Sequence, residues 1–514
     1  MNNRHSGFAT LASTLVTLAA LVALPAFGAS PPVAQWARGT TQASGDTWFG
    51  SVVLDAAGNL YAAGAIRTAE ADFGNGVSVR NPKPDSWNIL MVKYDSSGAA
   101  QWAKCVGTGA TDSAVGKAAI DAAGNVYAVG YIGKGTFDFG NNVKALGLQS
   151  YVTNGYATAV ISDSRMGNAV LVKYDSSGNA LWARTVEAAT DVSVFTDVAI
   201  DPSGNVYCVG NIDKRAFDFG DGVIVTAGPD TDGSGVVVKY DPSGRVLWAR
   251  TVPTGTTRKW HLYFFSVDVD STGNLYVAGG MGNQTFDFGN GVLVKADFAD
   301  YHAFLVKYDP SGNAQWAKAS TFGAREFASV KVDPSGDIYV TGVITSNLPV
   351  QFGNGVSLRV PGSGSAVSNM LLVKYDSNGA AQWARSIEKA SCNSRPDSVK
   401  TDADGNVYVA GLIERDGIFD FGNSVSAKGP YFGYSGDAYG SNAILVKYDS
   451  GGTPQWALTA LASSSETHFW NAAIDAAGHI YVAASMQGGT VGFGPGVTVS
   501  ARGLWYNAVL LKYE

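Results

Sequence analysis

Hydrophobic residues alternate with polar or small residues in short runs, and turns rich in glycine, aspartate and proline separate these runs. Residues 328–332, Ala-Ser-Val-Lys-Val, show the period of two that is typical of a half-buried β-strand. The following Asp-Pro-Ser-Gly predicts a tight turn, because aspartate caps the backbone, proline presets φ and glycine accepts a left-handed conformation. The same pattern predicts further strands at 338–341, 370–375 and 382–385. The pattern therefore predicts an all-β fold of short strands joined by hairpins.

Four short signatures recur in constant order along the chain. They are Trp-Ala, Asp-x-x-Gly-x-x-Tyr, Phe-Gly and Lys-Tyr followed by an acidic residue, and seven repeats each hold one copy of every signature at the same place. The Trp-Ala copies begin at Trp36, Trp102, Trp182, Trp248, Trp316, Trp383 and Trp456. A regular repeat of this length is typical of blades that bury a shared core against their neighbours. We therefore expect the repeated aromatic residues to pack one blade against the next.

The two ends of the sequence predict how such an array closes. In six copies the Lys-Tyr strand continues through a turn into the Trp-Ala strand, but the seventh copy stops at Glu514. The missing strand matches Val33-Ala34-Gln35-Trp36-Ala37-Arg38. Closing a ring in this way pairs strand edges that would otherwise remain open. The prediction is one domain over 33–514, a seven-bladed β-propeller with four-stranded blades, in which the N-terminal strand completes the last blade.

The repeat also resembles a known family. Val-Lys-Tyr-Asp-x-x-Gly-x-x-x-Trp-Ala, Asp-x-x-Gly-Asn-Val-Tyr-Val-x-Gly and Phe-Asp-Phe-Gly are similar to the bacterial β-propeller repeats of the SBBP type. The resemblance covers all seven copies. It implies a propeller architecture and export from the cytoplasm, and it supplies no catalytic residues.

The first residues are typical of a targeting segment. Arg4 and His5 precede an apolar stretch from Phe8 to Leu24, and Ala26-Phe27-Gly28 offers small residues for cleavage. We therefore predict a cleaved signal peptide over 1–28 and a secreted or periplasmic protein. No later apolar run is long enough to span a bilayer, so no membrane insertion is expected after cleavage.

Composition excludes several classes of partner. The 36 basic and 43 acidic residues give a net charge of −7 without any basic run, which argues against nucleic acid. Three cysteines exclude a fully paired disulfide framework. Asp402 and Asp404 have a spacing compatible with weak calcium binding, but the repeat favours a hairpin turn, because the other copies hold alanine, serine or threonine at the position of Asp404. We predict no metal site and no cofactor, and we expect a monomer.

Candidate ligand-binding residues lie where the repeats differ, in the connections that the strand order places on one face. Aromatic side chains on loops rich in glycine and serine are typical of carbohydrate or protein recognition. An alternative that the sequence supports equally is that these aromatic side chains cover the apolar top of the disc. The candidates are Trp48, Trp260, His261, His468, Trp470, Tyr434 and Tyr439.

A catalytic interpretation would use His261, His468, Tyr263 and Arg258, since two of the five histidines are expected at one channel mouth. No spacing fixes this set, and no nucleophile elbow, zinc motif or phosphate loop is present. The leading hypothesis is a secreted binding scaffold for a carbohydrate or protein. The alternatives are a polysaccharide lyase or glycoside hydrolase, and a structural surface or matrix protein.

Overall fold

The computed structural model describes most of the chain. The described residues are 30–40, 45–107, 111–149, 167–189, 191–228, 233–252, 261–296, 301–346, 348–360, 367–390, 392–415, 417–429, 440–461, 465–501 and 506–514. They form strands and turns and contain no helix. The signal peptide predicted over 1–28 lies outside them.

Seven four-stranded antiparallel sheets are present in these ranges, and we number them 1 to 7 with strands A to D. The A strands are Thr47–Leu54, Ser113–Ile120, Ser193–Ile200, Leu262–Val269, Ala324–Val332, Ser394–Thr401 and Thr467–Ile474. The B strands are Leu60–Ile66, Val126–Ile132, Val206–Ile212, Leu275–Met281, Ile338–Ile344, Val407–Glu414 and Ile480–Met486. The C strands are Asn88–Tyr94, Asn168–Tyr174, Ser234–Tyr240, His302–Tyr308, Asn369–Tyr375, Ser441–Tyr448 and Asn507–Tyr513. The D strands are Ala100–Cys105, Ala180–Thr185, Val246–Thr251, Ala314–Ala319, Ala381–Ser386, Pro454–Thr459 and, for sheet 7, Ala34–Gly39.

Sheet 7 is assembled from both ends of the chain. Its strand D, Ala34–Gly39, pairs antiparallel with its strand C, Asn507–Tyr513. Ala37 lies opposite Leu511 in this ladder. Beyond the ladder, the amide of Val33 donates to the carbonyl of Glu514 at 2.7 Å. The N-terminal strand therefore occupies the position that the repeat pattern assigns to it.

The connections between strands B and C carry short strands of their own, which the alternation pattern did not predict. They are Glu70–Asp72, Ser78–Arg80, Gly135–Asp138, Lys144–Gly147, Arg215–Asp218, Ile224–Ala227, Thr285–Asp287, Leu293–Lys295, Val350–Gly353, Val356–Leu358, Ile418–Gly422, Val425–Lys428, Gly489–Gly494 and Val497–Ala501. Ala188–Ala189 and Lys389–Ala390 add a third strand in two cases. The Asp-Phe-Gly signature forms the turn, because the Asp72 carboxylate accepts from the amide of Gly74 at 2.7 Å.

The cores lie between sheets rather than within them. Each of seven buried clusters combines residues of two sheets, namely 1 with 2, 2 with 3, 3 with 4, 4 with 5, 5 with 6, 6 with 7 and 7 with 1. The tyrosines of the repeat, such as Tyr61 and Tyr94, are among the largest fully buried side chains. Four-stranded sheets that pack face to face in chain order define a β-propeller repeat fold.

In the Asp-x-x-Gly-x-x-Tyr turns between strands A and B, the aspartate carboxylate accepts hydrogen bonds from other residues of the same turn. The Asp402 carboxylate accepts from the amides of Asp404 and Asn406, from the Asn406 side chain and from the Tyr408 hydroxyl, at 2.8 to 3.1 Å. This arrangement satisfies both oxygens of Asp402 without an ion. No group of three or more possible metal ligands occurs within the described ranges.

Two further features bear on the predicted environment. Cys105, Cys208 and Cys392 are all free thiols. In the part of the chain that the structure describes, there is no helix long and apolar enough to cross a membrane.

Candidate functional site

Strand A of each sheet lies against strand A of the next, and strand A of sheet 7 contacts that of sheet 1. The A strands therefore line a common space, which we call the channel. The first residues of these strands lie at the end where the connections from strand D enter, and we call this end the mouth. Because the D–A connections vary between repeats, side chains at the mouth are the ones that differ most from sheet to sheet.

A charged cluster joins sheets 6 and 7 at the mouth. The Nε2 atom of His468 lies 2.6 Å from Oδ2 of Asp397, and Arg395 donates from Nη2 to the other oxygen of this carboxylate at 3.1 Å. Only 7% of His468 is exposed. The imidazole lies against the ring of Trp470, with 3.4 Å between the ring centroids. Packing and a carboxylate therefore fix the orientation of the histidine.

The electrostatics of the pair are asymmetric. Burial lowers the pKa of His468, and Arg395 lowers it further, while Asp397 offsets part of the effect. Burial works to raise the pKa of Asp397, but the charges of Arg395 and His468 together with the histidine hydrogen bond leave that pKa below its usual range. At neutral pH the cluster consequently holds an ionised carboxylate, a neutral imidazole and a guanidinium.

A pocket of about 310 Å³ opens beside this cluster, between sheets 5 and 6. Its walls are formed by Arg325, Glu326, Val343, Ser368, Asn393, Ser394, Arg395 and Glu414. Burial raises the pKa of Glu326 against the opposing charges of Arg395 and Arg325. The Nε atom of Arg395 is buried and has no hydrogen-bond partner among the described residues. The pocket thus offers a guanidinium, a carboxyl group that ionises with difficulty and several amide and hydroxyl groups.

Glu414 and Asn393 show how the pocket is held open. The Asn393 side chain donates to Glu414 at 2.8 Å and accepts from the amide of Ser368 at 2.9 Å. The amide of Ser394 in turn donates to the carbonyl of Ser368 at 2.8 Å. These bonds tie the start of strand A of sheet 6 to the end of strand B of the same sheet. They also tie it to Ser368, directly before strand C of sheet 5, so the polar wall is preorganised.

The other candidate residues predicted from the sequence lie in separate parts of the structure. Trp48 is 6% exposed and packs with Ala65, Ala114, Tyr131 and Val194 in an apolar cluster of its own. Because its neighbours belong to sheets 1 to 3, the indole ring of Trp48 covers the mouth on that side. Trp470 is half-buried, and its indole N–H donates to the hydroxyl of Ser485 at 2.9 Å.

His261 and Tyr263 form a second aromatic group on sheet 4. Their rings stack at 5.4 Å, and Tyr263 stacks on Phe265 at 6.0 Å. His468 instead pairs with Asp397, so the two histidines belong to different clusters. Arg258, Trp260, Tyr434 and Tyr439 lie outside the described residues.

The sequence interpretation missed Glu326, Arg395 and Asp397. A signal for Asp397 exists in the repeat itself, because the strand pairing places it level with Gly50, Gly116, Thr196, Phe265, Ala328 and Trp470 in the other sheets. A carboxylate at a position that otherwise holds small or aromatic residues is a departure from the repeat. Reading strand A position by position would have identified it.

The fold and this cluster define the chain as a β-propeller repeat protein with a polar, partly buried pocket at its mouth. No protein-family model matches the chain. An uncharacterised WD repeat-containing protein of Acanthamoeba polyphaga mimivirus is 25% identical over 283 residues, which are 46% of this chain and 19% of that protein. The chain thus spans about a fifth of the length of this relative.

Similar solved structures include a polysaccharide lyase, an ulvan lyase, at 11% identity with a TM-score of 0.43, covering 90% of this chain and 98% of that one. A chain of the mitotic checkpoint complex has 11% identity and a TM-score of 0.42, covering 94% of this chain and 96% of that one.

Proposed function

We propose that this protein is a binding scaffold that recognises a carbohydrate in the pocket between sheets 5 and 6. The observation that supports this most directly is the guanidinium of Arg395 in the pocket wall, beside the carboxyl group of Glu326. A guanidinium presents several N–H donors in a planar fork, which suits sugar hydroxyl or carboxylate oxygens.

The size and lining of the pocket favour a sugar over a protein surface. A cleft of about 310 Å³ accepts one or a few compact polar units, whereas protein interfaces are larger and flatter.

Thermal unfolding against soluble polysaccharides tests this proposal. We expect dextran or polygalacturonate to raise the melting temperature, since a ligand at 100 times its dissociation constant stabilises by about 2.7 kcal/mol. Arg395→Lys keeps the charge but loses the planar fork of N–H donors, and it should weaken binding at least tenfold. Arg245→Lys, at an exposed arginine of a C–D turn at the other end of the sheets, is the matched control. Equal binding by the wild type and Arg395→Lys would refute the assignment of this pocket.

We also infer that the seven sheets are seven blades of one closed ring. The pairing of Ala34–Gly39 with Asn507–Tyr513 and the buried cluster between sheets 7 and 1 both support closure. A ring leaves no open sheet at either end of the repeat array.

Export, domain organisation and family are proposed from the sequence. A signal peptide over 1–28, a single domain over 33–514, a monomer, and a secreted or periplasmic location are consistent with the SBBP-type resemblance. Mass spectrometry of the protein recovered outside the cytoplasm tests the cleavage site, and a product retaining residues 1–28 would contradict it.

A second candidate function is a polysaccharide lyase or glycoside hydrolase. The pair of His468 and Asp397 favours it, because a histidine oriented by a carboxylate is suited to general base chemistry. Products should then appear from a polysaccharide that binds, and His468→Ala should abolish them while His261→Ala, in the other aromatic group, should not. Binding without shortened or unsaturated products would contradict the enzymatic function and leave the binding scaffold as the remaining proposal.

A further inference from the structure

A second polar cavity lies deeper in the channel than the mouth pocket. It has a volume of about 210 Å³ and is enclosed by the A strands. The polar residues in its lining are Ser51, Lys117, Asp197, Ser266, Asp268, Ser329, Lys331, Lys400 and Asn471. None of them was singled out from the sequence, and none belongs to the mouth pocket.

The two carboxylates of this cavity already have partners. Asp268 accepts from Lys331 Nζ and from the amide of Val332, both at 2.8 Å. Asp197 accepts from the hydroxyl of Ser266 at 2.7 Å, from the amide of Val267 at 3.1 Å and from its neighbour Val198 at 2.9 Å. Both carboxylates therefore form their hydrogen bonds with residues of the cavity wall. The bonds of Asp197 connect sheet 3 to sheet 4, and those of Asp268 connect sheet 4 to sheet 5.

Three lysines face these two aspartates, which leaves one excess positive charge in a protein of net charge −7. Lys331 is paired with Asp268. Lys117 and Lys400 line the same cavity, and each retains part of its surface toward it. Burial, followed by the charges of Lys331 and Lys117, lowers the pKa of Lys400 to about 8, against the opposing effect of Asp197 and Asp268. The cationic groups thus repel one another across an enclosed space.

We propose that this cavity is a binding site for a small tetrahedral oxyanion, inorganic phosphate or sulfate, held by Lys117 and Lys400. Such an ion offers several acceptor oxygens to two ammonium groups at once, and its negative charge offsets their mutual repulsion. The hydroxyl groups of Ser51 and Ser329 line the same space and can complete its coordination. The cavity is large enough for the ion together with waters, and it is too small for a polymer chain.

Isothermal calorimetry with inorganic phosphate at low ionic strength tests the site. We expect saturable binding by the wild type and at least a tenfold weaker affinity for Lys400→Met and for Lys117→Met. Lys389→Met, at an exposed lysine on a connection outside the channel, should bind as the wild type does. Thermal unfolding of each variant without phosphate shows whether it is folded.

The pH dependence gives a second readout that a general salt effect would not reproduce. A bound anion favours the charged form of Lys400, so phosphate affinity should fall as pH rises through about 8 in the wild type. Lys400→Arg should retain binding and lose this dependence, because its guanidinium stays protonated. Absence of saturable binding of phosphate and sulfate, or equal affinity in Lys400→Met, would overturn the proposal. Saturation by chloride with the same affinity would overturn the oxyanion assignment.

Discussion

At the scale of single residues, the contact between a tryptophan and a glycine joins neighbouring sheets. Trp102 of sheet 1 lies over Gly178 in the C–D turn of sheet 2, where a Cβ atom would come within 2.9 Å of the indole. Gly178 also has a φ of 79°, which side chains other than glycine rarely adopt. The same contact recurs between Trp36 and Gly98. Glycine is therefore required at these turns for both conformational and steric reasons.

Gly178→Ala should consequently destabilise the protein more than Gly124→Ala. Gly124 has a φ of 80°, but a Cβ atom there would meet nothing within 4 Å, so its replacement isolates the conformational cost. We expect about 1 kcal/mol for Gly124→Ala and about 2–4 kcal/mol for Gly178→Ala. Denaturant titration of both variants measures the difference, and equal losses would mean that the indole yields without cost.

His468 should make stability depend on pH. Its folded pKa lies below the unfolded value of 6.5 because of burial, so the unfolded chain binds a proton that the folded protein resists. The free energy of unfolding should therefore fall as pH drops below about 6.5, by at most about 1.4 kcal/mol per pH unit. His468→Gln should lose this part of the dependence between pH 7 and 5. Unfolding titrations at several pH values measure this dependence. The same change in the free energy of unfolding with pH in both proteins would contradict the assignment to His468.

Two neighbouring carboxyl groups titrate differently in the same experiment. Glu326 has a pKa raised by burial, so it contributes stability at lower pH and loses it as pH rises. Asp397 has a lowered pKa and titrates below the range of the experiment. The difference between wild type and His468→Gln therefore reports the histidine together with its effect on Asp397, because the charge and hydrogen bond of His468 help to lower the pKa of that carboxyl group.

At the scale of elements, the strand Ala34–Gly39 completes a sheet whose other strands lie more than 400 residues away in the sequence. Its ladder with Asn507–Tyr513 covers what would otherwise be an open edge. Arg38 adds a hydrogen bond from Nε to the carbonyl of Gly98 at 2.8 Å in the C–D turn of sheet 1. This one strand therefore contributes to two sheets.

A variant lacking residues 30–40 should be less stable and should associate through the exposed edge of Asn507–Tyr513. A synthetic peptide of residues 30–40, added in trans, should raise its melting temperature and suppress association. The same peptide with Trp36→Ala is the control and should do so less well. Light scattering and thermal unfolding measure both effects, and a truncated protein as stable and dispersed as the full chain would contradict the role of this strand.

At the scale of the whole molecule, a closed ring has no terminal repeat. In an open stack the end units contact a single neighbour and fray first. In this chain strand D of sheet 7 contacts sheet 1 through Trp36 as strand D of sheet 1 contacts sheet 2 through Trp102. The two contacts should therefore carry similar energies if the ring is closed.

Trp36→Ala and Trp102→Ala should accordingly destabilise the protein by similar amounts, about 2–4 kcal/mol each. Urea titration followed by tyrosine and tryptophan fluorescence measures both losses. A negligible loss for Trp36→Ala beside a large one for Trp102→Ala would indicate an open array and would refute closure.

The sequence by itself determined the repeat unit, the order of its strands and the position of the N-terminal strand. Strand period, turn residues and aromatic spacing are local properties, so the strand predicted over 328–332 is present within Ala324–Val332. Its first four residues were missed because two bulges, at Ala324/Glu326 and Phe327/Ser329, break the alternation.

Only the tertiary structure decided which side chains meet in the channel. His468 was recognised as a candidate, but its partner Asp397, which Arg395 also contacts, comes from another sheet, and His468 and Asp397 are separated by 71 positions. The lysines and aspartates of the deeper cavity are dispersed over five A strands in the same way. A repeat pattern places equivalent positions at the same level, whereas the chemistry arises from differences between repeats that become neighbours only when the sheets pack side by side.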